Sequence, residues 1–150
     1  MEGSGATTSA VVSFAEKLEG QSSQFYERLA SSFPSHRELF LGLARDSRRN
    51  RMLVVRTYQE TVTDALETGY SFRGLVLKDL SPQPWQEGLG LQAALREAIA
   101  FEEKAAGFYS DVAERSKTLL STIHAAFKKV AEDRRGRLQK LRALAASQQG

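Results

Sequence analysis

The sequence predicts an all-α protein, a four-helix bundle built from two helical hairpins joined by one long crossover. Three observations predict it. Apolar residues recur at steps of three and four through four separate stretches, the period of a helix with one buried face. The first half of the chain repeats in the second, as if one hairpin were used twice. Between the halves lies a stretch of about 20 residues with no sustained helical period, far longer than an ordinary helix–helix turn. The expected helices are roughly residues 9–31, 35–68, 91–116 and 121–146, with the crossover at 69–90, in a single domain covering residues 1–150.

Met1 to Thr7 is rich in Gly, Ser and Thr and is expected to fray. Thr8 or Ser9 can cap the first helix, whose inward stripe is Val11, Ala15, Leu18, Ser22, Phe25 and Leu29. Pro34 ends it, because proline lacks a backbone donor and restricts Phe33 before it. Ser35-His36-Arg37-Glu38 has the form of a capping box, in which hydroxyl and glutamate each accept from a backbone amide. The helix it opens turns Phe40, Leu43, Ser47, Asn50, Val54, Tyr58, Thr61 and Ala65 inward and is expected to end near Thr68, capped by Gly69. Ser47 and Asn50 put polar atoms into that stripe near its middle. In the crossover, Phe72, Leu75, Val76, Leu77 and Leu80 can lie across the helices, and Trp85 is expected to pack there. The third helix turns Leu91, Leu95, Ala98, Glu102, Ala105, Tyr109 and Val112 inward, and the fourth Ile123, Phe127, Val130, Arg134, Arg137, Leu141 and Leu144. Gly136 inside the fourth costs about 1 kcal/mol relative to Ala and is expected to mark a close helix approach.

Bulk properties narrow the classes of function. A hydrophobic content of 41% with 26% charged residues fits a soluble globular protein. No apolar run approaches the roughly 20 residues that cross a bilayer, and the opening MEGSGATTSA lacks a basic region followed by an apolar core. No membrane partner and a cytoplasmic location are therefore expected. There is no cysteine, which excludes disulfides, thiolate metal sites and iron–sulfur ligation within this chain. The net charge of +3 is too small to argue for nucleic acid. The basic runs Arg45 to Arg51 and Arg134 to Arg142 read as solvated helix faces, so no nucleic acid is expected as a partner. No nucleophile–base pair or glycine-rich phosphate loop is present. The neighbouring acids Glu102-Glu103 and Glu132-Asp133 point in different directions on a helix, so neither forms a dyad and no catalytic residue is nominated.

Glu102 poses the central question, because it stands in the middle of an apolar stripe. A buried carboxylate needs a cation, a proton or a donor. The internal repeat bears on it. Phe14 to Glu19 with Gln24-Phe25-Tyr26 matches Glu97 to Glu102 with Gly107-Phe108-Tyr109 at a spacing of 83. Phe40, Leu43-Ala44 and Asp46 match Phe127, Val130-Ala131 and Asp133 at a spacing of 87.

These patterns, a glutamate followed by Phe-Tyr in the first helix of each hairpin and Phe-x-x-apolar-Ala before an Asp in the second, resemble the rubrerythrin-like branch of the ferritin-like superfamily. The resemblance implies a ferritin-like bundle and a di-iron centre. One glutamate would come from each of the first and third helices, and a Glu-x-x-His from each of the second and fourth. Matched position by position, Glu19 and Glu102 fall on the two single glutamates. The second-helix pair falls on Ser47 and Asn50, the fourth-helix pair on Arg134 and Arg137. His36 and His124, the two histidines, lie about three to four turns earlier, too far along a helix to share the site. The six positions thus form a vestigial site: metal none, cofactor none expected, and if any, iron or another divalent metal.

Arg134 and Arg137 are expected to supply the positive charge instead, pairing with Glu19 and Glu102 while Ser47 and Asn50 complete the network. The opposing expectation is that both arginines extend to solvent at the bundle edge. The function expected is that of a non-enzymatic bundle that has lost its di-iron site and has a structural, partner-binding or small-ligand role. The alternative is a rubrerythrin-like metal-binding oxidoreductase or iron-handling protein with an atypical site at Glu19 and Glu102. A homodimer is expected from the same resemblance, with Leu39, Leu41, Leu53 and Val55 as apolar positions that either form its face or contact the crossover. The sequence identifies no protein or small-molecule partner.

Overall fold

A computed structural model describes residues 6–61, 71–72, 75, 77–82, 88–117 and 121–148. Among them are four long helices, α1 (Thr8–Ser32), α2 (Arg37–Thr61), α3 (Leu91–Arg115) and α4 (Ser121–Ser147). Among the described residues the protein is all-helical apart from one two-residue ladder, in which β1 (Ala6–Thr7) pairs antiparallel with β2 (Ser71–Phe72). The expected helix end at Thr68, its Gly69 cap, Ala65, Val76 and Trp85 lie outside the described residues, as do residues 1–5.

Side-chain contacts fix the directions of the helices. Ser22 meets Ser47 and Glu16 meets Arg51, so α1 and α2 are antiparallel. Phe108 meets Phe127 and Gln92 meets the Ala145 carbonyl, so α3 and α4 are antiparallel as well. Across the hairpins, Phe14 contacts Phe108 and Phe25 contacts Phe101, while Asn50 contacts Asp133 and Arg137 contacts Ser47. α1 therefore runs against α3 and α2 against α4, which leaves α2 and α3 pointing the same way. A helix of 25 residues is about 37 Å long, and the connection between α2 and α3 has to cover that distance. Its described part does so along α1. Phe72 and Leu75 are buried, Leu77 and Leu80 lie half-buried beside Phe14 and Leu18, and Leu89 joins the core at the opposite end. Gly88, at φ +78°, takes the left-handed conformation that turns the chain into α3.

Local chemistry sets the ends, in places differently from expectation. Ala6 and Thr7 do not fray: the ladder to β2 holds them, and Phe72 beside it is fully buried. Thr7, not Thr8 or Ser9, caps α1, its Oγ1 accepting from the Ala10 amide at 3.1 Å. Thr8 is buried, so its side chain faces the wrong way for a cap. The capping box at Ser35 does not form. Pro34 pre-sets a 3-10 turn, Pro34–His36, that places Ser35 inside helical backbone and leads directly into α2. At the far end of the other hairpin, Ser116 Oγ donates to the Val112 carbonyl and His124 Nδ1 to the Ala113 carbonyl, closing the last turn of α3.

The inward stripes read from the sequence are buried wherever they are described, with Asn50, Tyr58, Leu91 and Leu144 half-buried. They make two apolar cores. One holds Val11, Leu18, Val54, Phe108, Phe127 and Val130, the other Leu29, Phe40, Leu43, Leu95 and Leu141. A layer of buried polar side chains lies between them. Leu39, Leu41 and Leu53, expected on the outside, are half-buried against these cores. They no longer argue for a dimer face.

Gly136 also departs from expectation. It is exposed, and a Cβ added there would meet nothing within 4 Å, so no helix approaches it closely. Its cost in backbone freedom is uncompensated. Gly136→Ala should raise the free energy of unfolding by about 0.5–1 kcal/mol, read from the midpoint of urea unfolding with unchanged slope; no gain would mean that the glycine serves a contact outside this chain.

Candidate functional site

Four charged side chains converge in the layer between the two cores: Glu19 from α1, Glu102 from α3, and Arg134 and Arg137 from α4. Glu19, Glu102 and Arg134 have no solvent exposure and Arg137 has 2%. Arg134 is the hub. Its Nη2 and Nε donate to the two oxygens of Glu19 at 2.7 and 3.3 Å, and its Nη1 donates to Glu102 Oε1 at 2.7 Å. The planar fork suits this, because one edge takes one carboxylate and the remaining arm takes the other. The guanidinium carbon lies 5.4 Å from the centre of the Phe101 ring and 5.9 Å from that of Tyr109, so the charge also rests on aromatic faces.

Two phenols complete the carboxylates. Tyr26 OH donates to Glu102 Oε2 at 2.5 Å, and Tyr109 OH donates to Glu19 Oε2 at 2.6 Å. Every carboxylate oxygen is thereby engaged. Burial, reinforced by the Glu102 carboxylate, pushes the Tyr26 phenol well above its usual value. Burial together with Glu19 does the same to Tyr109. Burial alone would lower the pKa of Arg134, but Glu102 and Glu19 outweigh it and raise it well above the usual value. The phenols and the Arg134 guanidinium therefore keep their protons at neutral pH.

Arg137 extends the network to α2. Its Nη1 lies 3.5 Å from Glu102 Oε2 and donates to Ser47 Oγ at 3.0 Å, and its Nε donates to Asp133 Oδ2 at 3.2 Å. Ser47 spends its single hydroxyl proton on the Leu43 carbonyl at 2.9 Å, so Ser22 is the donor in the 2.7 Å Ser22–Ser47 bond. Asn50 Nδ2 donates to Asp133 at 3.1 Å rather than to the glutamates. The structure thus brings together Glu19, Glu102, Arg134, Arg137 and Ser47, with Asn50 one bond further out. Arg137 Nη2 is the one side-chain polar atom among the described residues that is buried without a partner.

Tyr26, Tyr109, Asp133 and Ser22 are members that the sequence reading leaves out. A signal for the tyrosines existed: Tyr26 follows Glu19, and Tyr109 follows Glu102, by seven residues, two turns along the same face. The bonds cross over, so each tyrosine serves the glutamate of the other hairpin. That pairing is visible only once the hairpins face each other.

These residues do not fit a pair of metal ions. The two glutamates are saturated by guanidinium and phenol donors, and the remaining positions carry Ser, Asn and two cations, where dications would need anionic or imidazole ligands. His36 stands edge-on to Phe40 at the turn, and His124 is bonded to the end of α3. Among the described residues no group of three or more His, Asp or Glu is placed to hold a metal ion.

Removing one partner of a buried ion pair strands the others, whereas an exposed pair contributes little. Arg134→Ala should lower stability by about 3–5 kcal/mol. Arg48→Ala, whose 2.7 Å pair with Glu27 is half-exposed on both sides, should cost under about 1 kcal/mol. Equal small shifts in the two denaturation curves would contradict the network.

The phenols make a second prediction. Below the ordinary tyrosine pKa of about 10 both folded and unfolded chains hold the proton, so the contribution to stability is flat. Above it the unfolded chain releases protons that the folded chain retains, and stability falls with rising pH by about 1.4 kcal/mol per unit for each buried tyrosine. Urea midpoints between about pH 9 and 11 should therefore drop, and Tyr26→Phe or Tyr109→Phe should make the drop shallower. An unchanged slope in both variants would place the alkaline sensitivity elsewhere.

Comparison with protein-family models, with characterised proteins and with solved structures gives no match, so the chemistry of the network itself carries the functional reading.

Proposed function

We propose that this chain is a rubrerythrin-like, ferritin-like bundle whose centre is held by guanidinium groups in the space where metal-bearing members hold iron. In this reading it serves as a non-enzymatic scaffold with a structural or partner-binding role. The supporting observation is Arg134, fully buried and bridging Glu19 and Glu102, the two positions the resemblance assigns to metal ligands. Two fixed guanidinium charges do electrostatically what two cations would do, neutralising the glutamates, but they have no open coordination position and no second oxidation state. The phenols and Arg134 keep their protons at neutral pH, which fits a centre that holds helices together and transfers nothing. Both cations lie on α4, so the centre does not depend on a delivered ion.

Metal content decides between this role and an iron-handling one. Protein purified without chelator, measured by mass spectrometry before and after anaerobic ferrous loading, should carry far less than one iron, manganese or zinc per chain. Stoichiometric metal that is lost in Glu102→Gln, with helicity kept, would overturn the proposal and assign Glu19 and Glu102 to an atypical metal site.

A further inference from the structure

The outer surface between α1 and α2 has a groove of about 500 Å³. Met52 and Val55 supply its apolar lining. Met52 is 59% exposed and is the one large hydrophobic residue exposed among the described residues. Its walls are charged: Arg48, Arg51 and Arg56 line it against a single carboxylate, Glu16. Arg48 and Arg51 have half-exposed partners in Glu27 and Glu16, while Arg56 has no carboxylate among the described side chains. Arg45 and Arg49 are exposed as well, and with Met52 and Arg56 they recur at helical spacing along the outer face of α2.

We infer that this groove docks an acidic amphipathic helix of another protein. A helix laid along α2 would place one apolar anchor on Met52 and Val55 and its flanking carboxylates against Arg48, Arg51 and Arg56. Charge complementarity selects the occupant. A second copy meeting this face through a two-fold axis would set the same arginines against one another. A nucleic acid would gain nothing from the exposed methionine and would meet Glu16 and Glu27 beside it. Methionine suits the task, since its unbranched, polarizable side chain adapts to varied apolar partners. The inference rests on the scaffold reading in that it names the class of partner. The two fail separately, because metal at the centre would leave the groove as it is.

A random peptide library panned against the full chain tests it. Enriched peptides should carry apolar residues at helical spacing flanked by Asp and Glu. Their binding should weaken as salt rises, and Met52→Ser or Arg56→Glu should each lower affinity by about tenfold or more. Both positions are exposed, and a circular-dichroism melt confirms that the variants fold. Enrichment of basic or uncharged peptides, no enrichment at all, or binding indifferent to both variants would overturn the inference. So would a double-stranded oligonucleotide bound through the same residues, or a dimer seen by sedimentation that Met52→Ser dissociates.

Discussion

The Arg134 guanidinium stands in the middle of the bundle, away from water, with one carboxylate on each side of it. Much of the interior follows from that placement. An unpaired buried charge would cost several kcal/mol, so its N–H groups have to be met in direction as well as in sign. Glu19 comes from α1 and Glu102 from α3, which ties three helices to one planar group. Each glutamate has lone pairs left over, and a tyrosine hydroxyl reaches each of them. Sliding any of these helices by one turn, about 5.4 Å, would separate the partners. The polar layer therefore defines the register in which the apolar cores on either side of it can close.

The two halves of the molecule share that layer unequally. The glutamates and tyrosines obey the internal repeat: Glu19 and Tyr26 correspond to Glu102 and Tyr109, and the bonds between them cross the axis that relates the hairpins. A surface contact repeats too, since Arg48 with Glu27 and Arg135 with Ser110 occupy equivalent places. The inward positions of α2 and α4 break the symmetry. α4 contributes two long cations, and the equivalent positions of α2 carry Ser47 and Asn50, short enough to leave room for them. A serine hydroxyl accepting from Arg137 is the point where the small helix meets the large one. Neutrality is reached with one arginine for each glutamate, both from the same half.

Interior and surface accordingly have different chemistry. Inside, one guanidinium bridges two carboxylates and a second adjoins them, and the phenols and Arg134 guanidinium hold their protons. Outside, α2 presents arginines around Met52, the one large hydrophobic residue exposed among the described residues. In the proposed scaffold role, affinity would come from a few surface anchors while the core supplies rigidity.

The all-helical architecture, the helix ranges where they are described and the buried faces were legible in the sequence because amphipathic periodicity is a local property and the hydrophobic effect acts on it whatever the neighbours. Glu102 in an apolar stripe announced a buried charge, and Arg134 and Arg137, at inward positions of the fourth helix that the resemblance matches to metal ligands, were its candidates. Other features depended on contacts between distant residues. Whether a long arginine turns inward or extends to solvent is decided by what the facing helix offers, and that required Glu19 and Glu102 to arrive from two other helices. The crossed tyrosine bonds follow from how the hairpins face, Thr7 became the cap once a strand from the crossover held Ala6, and Gly136 proved to be exposed because no helix came near it. Sequence by itself determined which face of each helix is buried and that Glu102 stands on one of those faces. Tertiary structure alone decided who pairs with whom, because an ion pair is a fact about two positions in space and a sequence pattern constrains only one at a time.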